Sequence, residues 1–160
     1  MALTAASGSA GWLYFAYGSN LNRAQMADRC PLAQPVAPHV LKDYRLEFAG
    51  ESSRWWGAGG VATIVPSPGS AVQGALYRLG IGEDGALDRY EGIATGRYRR
   101  VEDLVIVDGE AALVYVGTEL LGQENWPSAR YLETIRQGYG EWGLPLSALA
   151  EVRTYPVPEL

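Results

Sequence analysis

A mixed α+β fold is what this chain predicts, on three observations. An apolar aromatic strand, Tyr14-Phe15-Ala16-Tyr17, breaks at Gly18-Ser19-Asn20 and feeds a stretch with helical spacing. About six strand-like segments and about three or four helix-like ones follow, out of strict strand–helix alternation. No linker, repeat or low-complexity block divides them, and 160 residues is the size of one compact unit. Residues 11–160 are expected to form one domain, and the small, polar residues 1–10 read as a disordered tail.

The elements follow in order. Trp12 to Ala16 is apolar on both faces and reads as a central strand. Leu21 to Cys30 carries Leu21, Ala24 and Ala27 at helical spacing and stops before Pro31. Pro35 and Pro38 predict an irregular connection. His39 to Phe48 alternates in part and reads as a strand or strand pair around Lys42-Asp43. Glu51 to Gly60 reads as a loop holding Trp55 and Trp56, either a pocket lid or plain loop packing. Gly60 to Val65 and Val72 to Leu79 read as two strands joined by a turn at Ser67-Pro68-Gly69.

Glu83 to Glu91 has the length of a short helix, with Leu87 and Glu91 on one face and Gly92 at its C-terminal stop. Arg97 to Val107 and Ala111 to Gly117 are strands around Asp108-Gly109, a strong hairpin signal. Ser128 caps a helix to about Tyr139, whose inner stripe is Tyr131, Leu132, Ile135 and Tyr139, with Gly140 and Gly143 breaking it. Leu146 to Val152 reads as a last short helix, and the proline-rich tail Tyr155-Pro156-Val157-Pro158 is not helical.

Composition excludes some classes of function. The balance of 13 basic and 18 acidic residues leaves a net charge of −5 and a pI near 4.9. That argues against nucleic acid or an anionic membrane as the partner. No run of about 18 apolar residues predicts a membrane span, and no basic leader precedes one. Cys30 is the only cysteine, so an internal disulfide is ruled out and a reducing compartment, the cytoplasm, is expected. One cysteine and the one histidine, His39, argue against zinc. Cys30 reads as a small core residue and His39 as a strand-edge residue. Tyr 10 and Trp 5 outnumber Phe 2, which suits aromatic walls that carry hydroxyls.

Two places have the residue types for chemistry. In the first, Gly18 can take φ > 0 and Ser19 and Asn20 can cap a helix, so backbone N–H groups would converge on one spot. Such a spot suits a carboxylate or a carbonyl oxygen gaining charge. The same pattern fits a plain capped turn. In the second, Glu91 ends a helix, where the helix dipole is unfavourable to its charge. Burial behind Leu87 would disfavour ionisation further, as a proton shuttle requires. The other reading is an exposed glutamate against Arg89, Arg97 or Arg99. Arg97, Arg99 and Arg100 read as a solvated strand face, with a substrate carboxylate as the alternative partner.

The phrase Tyr14-Phe15-Ala16-Tyr17-Gly18-Ser19-Asn20-Leu21 resembles the signature of the gamma-glutamylcyclotransferase family. Further matches follow in that family's order: Trp56-Gly57 with Gly59-Gly60-Val61-Ala62-Thr63-Ile64, and Ser67-Pro68-Gly69. Then come Leu87-Asp88-Arg89-Tyr90-Glu91-Gly92 with Gly96-Arg97-Tyr98, Pro127-Ser128-Ala129-Arg130-Tyr131, and Gly143-Leu144-Pro145. They span about Leu13 to about Leu149. The resemblance implies a small mixed β-barrel with helices packed outside. It places Glu91 on the family's catalytic glutamate, and Tyr14, Phe15, Ala16, Tyr17, Gly18, Ser19 and Asn20 on its substrate pocket. Tyr131 would close the pocket and Tyr98 would join it.

The implied reaction needs no cofactor and no metal. The α-amine of a γ-glutamyl amino acid or amine attacks its own γ-carbonyl, forms 5-oxoproline and expels the other amine. The implied partner is that small molecule, with a homodimer and a place in glutathione metabolism as further family expectations. The alternative is a non-catalytic or divergent member of the same fold that binds a small amide or amino acid.

Overall fold

The computed structural model describes residues 11–51 and 59–154. The expected tail over 1–10, the pair Trp55-Trp56 and the chain from Tyr155 onward lie outside the described residues. Five strands form one sheet in the order β2-β3-β1-β5-β4. They are β1 (Leu13–Ala16), β2 (Gln34–Ala49), β3 (Val61–Arg78), β4 (Tyr98–Val107) and β5 (Glu110–Gly117). Among the described residues three α-helices complete the α+β fold: α1 (Arg23–Arg29), α2 (Glu83–Glu91) and α3 (Ala129–Trp142).

β1 is central, and all four of its residues are buried. It pairs antiparallel with β3 and parallel with β5. The parallel pair is what takes the fold out of a simple meander. The turn of the β4–β5 hairpin has Asp108 at φ 50° and Gly109 at φ 83°, the left-handed pair that a two-residue hairpin loop demands.

The expected count of about six strands is corrected to five among the described residues. The two strands anticipated at Gly60–Val65 and Val72–Leu79 are one, β3, which runs on through Ser67-Pro68-Gly69 as a wide bulge. Lys42 pairs with Ala71 and Tyr44 with Pro66, so Asp43 alone faces the intervening residues of β3. Asp43 takes φ 66° and its Oδ1 accepts a hydrogen bond from the Gly69 N–H at 3.0 Å. The turn chemistry is there, spent on a bulge rather than a chain reversal. Pro35 and Pro38 are likewise inside β2 rather than in an irregular connection. β2 is an edge strand, where a missing N–H has no ladder partner to lose.

The sheet does not close into a barrel, because β2 and β4 remain its two edges. It curls instead. β1 pairs with β3 only at Ala75–Arg78, which on a straight strand lies roughly 40 Å from Ala62. Yet a Cβ placed on Gly18, just beyond β1, would stand 3.0 Å from the Ala62 Cβ. β3 must therefore bend back on itself, and the bulge opposite Asp43 supplies a bend. Side-chain bonds then tie the returned end of β3 across the gap. The Gly117 N–H donates to Thr63 Oγ1 at 2.8 Å, and the Tyr98 hydroxyl donates to the Ala62 carbonyl at 2.5 Å.

Two helix ends also differ from expectation. Ser19–Leu21 is a single 3-10 turn, and α1 starts after it with Asn22 as its cap, whose side chain accepts from the Gln25 N–H at 3.2 Å. Gly18 sits at φ −117°, so its role is close approach and not a left-handed conformation. α3 begins at the expected Ser128 cap, with Ser128 Oγ accepting from the Tyr131 N–H at 3.1 Å. It passes through Gly140 and ends at Gly143, which takes φ 68°. Packing of Tyr131, Leu132, Ile135 and Tyr139 outweighs the weak helix propensity of its two glycines, Gly138 and Gly140.

Candidate active site

Several elements converge on one hollow at the end of β1. β1 and β5 finish there, and the start of β4 and the returned start of β3 reach it. β1 gives Tyr14, and the turn after it gives Tyr17, Gly18, Ser19 and Asn20. Ala62 comes from β3, Glu91 from α2, and Tyr98 from β4. Tyr115 from β5 and Tyr131 from α3 complete the described wall. Its volume is about 40 Å³, room for the end of a small molecule rather than a macromolecule. Phe15 and Ala16 stand apart from this wall. Both are fully buried, with the Phe15 ring edge-on to His39 in β2.

The first wall is the turn, and it is braced from behind. The Leu21 and Asn22 N–H groups donate to the Gly18 and Ser19 carbonyls, each at 3.0 Å. Tyr77 donates its hydroxyl to the Asn20 carbonyl at 2.9 Å, and Trp142 its indole N–H to the Leu21 carbonyl at 3.0 Å. Gln25 Nε2 donates to Ser19 Oγ at 2.7 Å and to Asn20 Oδ1 at 3.0 Å. Arg29 Nη1 donates to the same Asn20 oxygen at 3.0 Å. The Asn20 amide then donates to the Tyr14 hydroxyl at 3.0 Å. Ser19 and Asn20 are thus held in place by side chains from three separate elements.

The second wall is the end of α2. Glu91 is its last residue and is half-buried. Gly92 follows at φ 70° and stops the helix, its N–H donating to the Asp88 and Arg89 carbonyls. One turn earlier Leu87 is fully buried. At the other end of α2, Glu83 is buried with its carboxylate accepting from the Gly80 N–H at 2.8 Å and the Leu32 N–H at 2.7 Å.

Between the walls lies a ring of tyrosines. Burial raises the pKa of Tyr14 and Tyr17, and the charge of Glu91 raises them further. Burial likewise raises Tyr98 and pushes Tyr131 up to about 12, with Glu91 a smaller contributor to each. The four hydroxyls therefore stay protonated at neutral pH. Their hydrogen bonds differ. Tyr17 donates to the Tyr115 carbonyl at 2.5 Å, and Tyr98 to the Ala62 carbonyl. Tyr131 instead accepts, from the Ala62 N–H at 3.0 Å.

Tyr115 and Ala62 were missed at the level of sequence. Tyr115 reads there as one more residue of an alternating strand, and Ala62 belongs to a motif whose distance from β1 along the chain hides the contact. Arg100 also differs from its reading as part of a solvated face. It is half-buried, and its guanidinium meets Asp84 and Asp88 of α2. Arg99 is exposed, and Arg97 donates to the Glu51 carbonyl at 2.8 Å. Cys30 is buried, its thiol aimed at the Glu83 carbonyl and its pKa pushed up to about 12 by burial, so it is not a reactive thiol.

Comparison with known proteins places the chain in a family. The family described as "Gamma-glutamyl cyclotransferase, AIG2-like" matches residues 14–142. The gamma-glutamylcyclotransferase of Bos taurus is 34% identical over 139 residues, covering 84% of this chain and 73% of that protein. The Homo sapiens gamma-glutamylcyclotransferase matches to the same extent, at 34%. A solved structure titled gamma-glutamyl cyclotransferase superposes with a TM-score of 0.82 at 30% identity, covering 93% of this chain and 92% of that one. The chain belongs to the gamma-glutamylcyclotransferase family.

Proposed function

We propose that this protein is a gamma-glutamylcyclotransferase in which Glu91 moves the protons and the turn after β1 holds the substrate. The observation that carries the reading is the placement of Glu91 on the same hollow as Gly18-Ser19-Asn20, among tyrosines that stay neutral. With those hydroxyls protonated, Glu91 is the one carboxylate among the described wall residues, and the group proposed to take up and return the proton.

The steps follow from the substrate's own chemistry. A γ-glutamyl chain folds in the hollow so that its α-nitrogen approaches its γ-carbonyl carbon. The Glu91 carboxylate takes a proton from the α-ammonium. The freed amine forms the new N–C bond, and the carbonyl oxygen becomes an oxyanion. Backbone N–H groups of Tyr17, Gly18 and Ser19 are the proposed donors to it. As the oxyanion collapses, the original C–N bond breaks and the carboxylic acid of Glu91 returns its proton to the leaving amine. The restored Glu91 carboxylate then takes the second proton from the ring nitrogen and passes it to the released amine. The products are 5-oxoproline and the free amine. Tyr14, Tyr98 and Tyr131 form the aromatic sides of the pocket.

The substrate class proposed is a γ-glutamyl amino acid or amine. A cytoplasmic setting is supported by the single cysteine, which has no partner for an internal disulfide. A homodimer and a link to glutathione metabolism rest on the family alone. No described helix is long and apolar enough to cross a membrane.

The test is incubation with a panel of γ-glutamyl amino acids, with 5-oxoproline and free amine both measured. Equal yields of the two are expected, and none from a donor whose α-nitrogen is acetylated. Binding of the panel without any 5-oxoproline would instead favour a non-catalytic member of the fold.

A further inference from the structure

The face of α2 that carries Glu91 also carries Asp88 and Asp84, about one and two turns back along the helix. Both carboxylates meet one guanidinium. Arg100 Nη1 lies 2.9 Å from Asp84 Oδ2 and 3.0 Å from Asp88 Oδ2, while its Nε lies 2.7 Å from Glu102 Oε2. Asp88 has a second partner: the Tyr115 hydroxyl donates to its Oδ1 at 2.5 Å. Arg100 and Tyr115 are themselves direct cross-strand neighbours on β4 and β5. Two adjacent sheet positions thus grip one helix. Tyr115 also stands on the wall of the hollow, edge-on to Tyr14.

A surface ion pair alone would do little here. This array is different in three respects. Arg100 is half-buried and shared among three carboxylates, so its position is fixed by more than one bond. Asp88 bonds both Arg100 and Tyr115, so the helix is held from two strands at once. Its Oδ1 takes the tyrosine proton and its Oδ2 the guanidinium, a use of both oxygens that fixes the carboxylate's rotation. Less than one helical turn then separates Asp88 from Glu91.

We propose that Arg100, Asp88 and Tyr115 form a positioning array that sets where the end of α2, and with it Glu91, stands against the hollow. None of the three needs to exchange a proton with substrate. Asp88 and Arg100 are positioning residues that act through the helix. The proposal deepens the reading of Glu91 as proton carrier and rests on it for its kinetic part only.

The experiment compares D88N, R100M, R100K and Y115F with wild type in two measurements. The first is kcat and KM for 5-oxoproline formation. D88N and R100M should lower kcat about tenfold with KM within about twofold, and R100K should keep most of the rate. The second is amide hydrogen exchange over residues 87–92, read without any substrate. Exchange there should quicken in D88N and R100M while β1 and α3 keep their protection. E102Q, which weakens only the outer bond to Arg100 and leaves the two bonds to α2, should change both measurements less than D88N does. Should D88N fail to fold, Y115F keeps the ring and removes only the donated bond, and is expected to show the same two changes more weakly. Wild-type kcat and wild-type exchange in D88N and R100M would overturn the proposal. So would a uniform quickening of exchange throughout the molecule, which means a general loss of stability. If the wild-type protein makes no 5-oxoproline at all, the activity reading falls, and the exchange comparison still decides whether the array holds the end of α2.

Discussion

The two walls of the hollow are built by opposite means. The turn after β1 is held at its main-chain carbonyls by Tyr77, Trp142 and its own 3-10 bonds, with Gln25 and Arg29 fixing the Ser19 and Asn20 side chains as well. The end of α2 is held by side-chain charge, through Glu83, Asp84, Asp88 and Arg100. The difference matches what each wall offers. In the proposed mechanism the turn offers its N–H groups to the substrate, and such a cradle must be rigid at the backbone. A proton carrier must be placed as a side chain, and its helix is the handle by which the rest of the molecule sets it.

This contrast can be broken at either wall. The largest effect on stability is expected at the acid wall. Leu87→Ala removes a fully buried side chain beneath α2 and should lower stability by about 2–5 kcal/mol, measured by urea unfolding. A loss under about 1 kcal/mol would mean that α2 is held by its ionic bonds alone.

At the turn, Gly18→Ala should disturb function more than folding. Its Cβ would stand 3.0 Å from the Ala62 Cβ and 3.7 Å from the Tyr131 hydroxyl. A small shift of the cradle follows, and kcat/KM for a γ-glutamyl donor should fall by roughly 10- to 100-fold. Unchanged kinetics would show that the turn does not touch the substrate.

Tyr77→Phe is the smaller test of the same wall. It removes the hydroxyl that donates to the Asn20 carbonyl at 2.9 Å, and leaves that buried acceptor with one partner fewer. A stability loss of about 1 kcal/mol is expected, with a modest rise in KM. A loss of kcat at unchanged stability would instead mean that this hydroxyl bears on the chemistry.

The smallest effect should come from an ion pair remote from both walls. Arg78 and Glu110 lie across the sheet, Arg78 Nη2 donating to Glu110 Oε1 at 2.7 Å. The hydrogen bond from Arg78 holds the Glu110 carboxyl below its ordinary value. A depressed folded pKa means that the stabilisation is present above the unfolded value and is lost as pH falls through the folded one. Both side chains are substantially exposed, so the contribution should stay under about 1 kcal/mol. Glu110→Gln should therefore remove a small slope from stability against pH on the acid side and leave neutral-pH activity alone. A steeper slope in the variant would contradict the assignment.

The two walls also differ in how far they were legible from sequence. The turn is local. Gly18, Ser19 and Asn20 are adjacent, and glycine after an apolar strand with cap-forming residues behind it already points to a cradle. The short helix ending at Glu91 and Gly92 was legible for the same reason. What holds that helix was not, because Arg100 and Tyr115 come from two other strands and meet it only through β4–β5 register. Arg100 in a run with Arg97 and Arg99 looks like a solvated face until the sheet places it over Asp84 and Asp88. The curl of β3 was hidden too. Ser67-Pro68-Gly69 carries turn chemistry whether the chain reverses or bulges, and only pairing with Asp43 decides. That choice in turn brings Ala62 to Gly18. Barrel closure failed for a related reason: side-chain bonds from Tyr98 and Thr63 satisfy the gap, and no ladder needs to form there.

The central claim is that Glu91 carries the protons. Glu91→Gln keeps the shape of the side chain and removes its ability to exchange a proton. The measurement is kcat for 5-oxoproline release by this variant, with its melting temperature taken alongside. The account predicts a rate lower by roughly 10²- to 10⁴-fold at an unchanged melting temperature. A folded variant that turns over at the wild-type rate would contradict it.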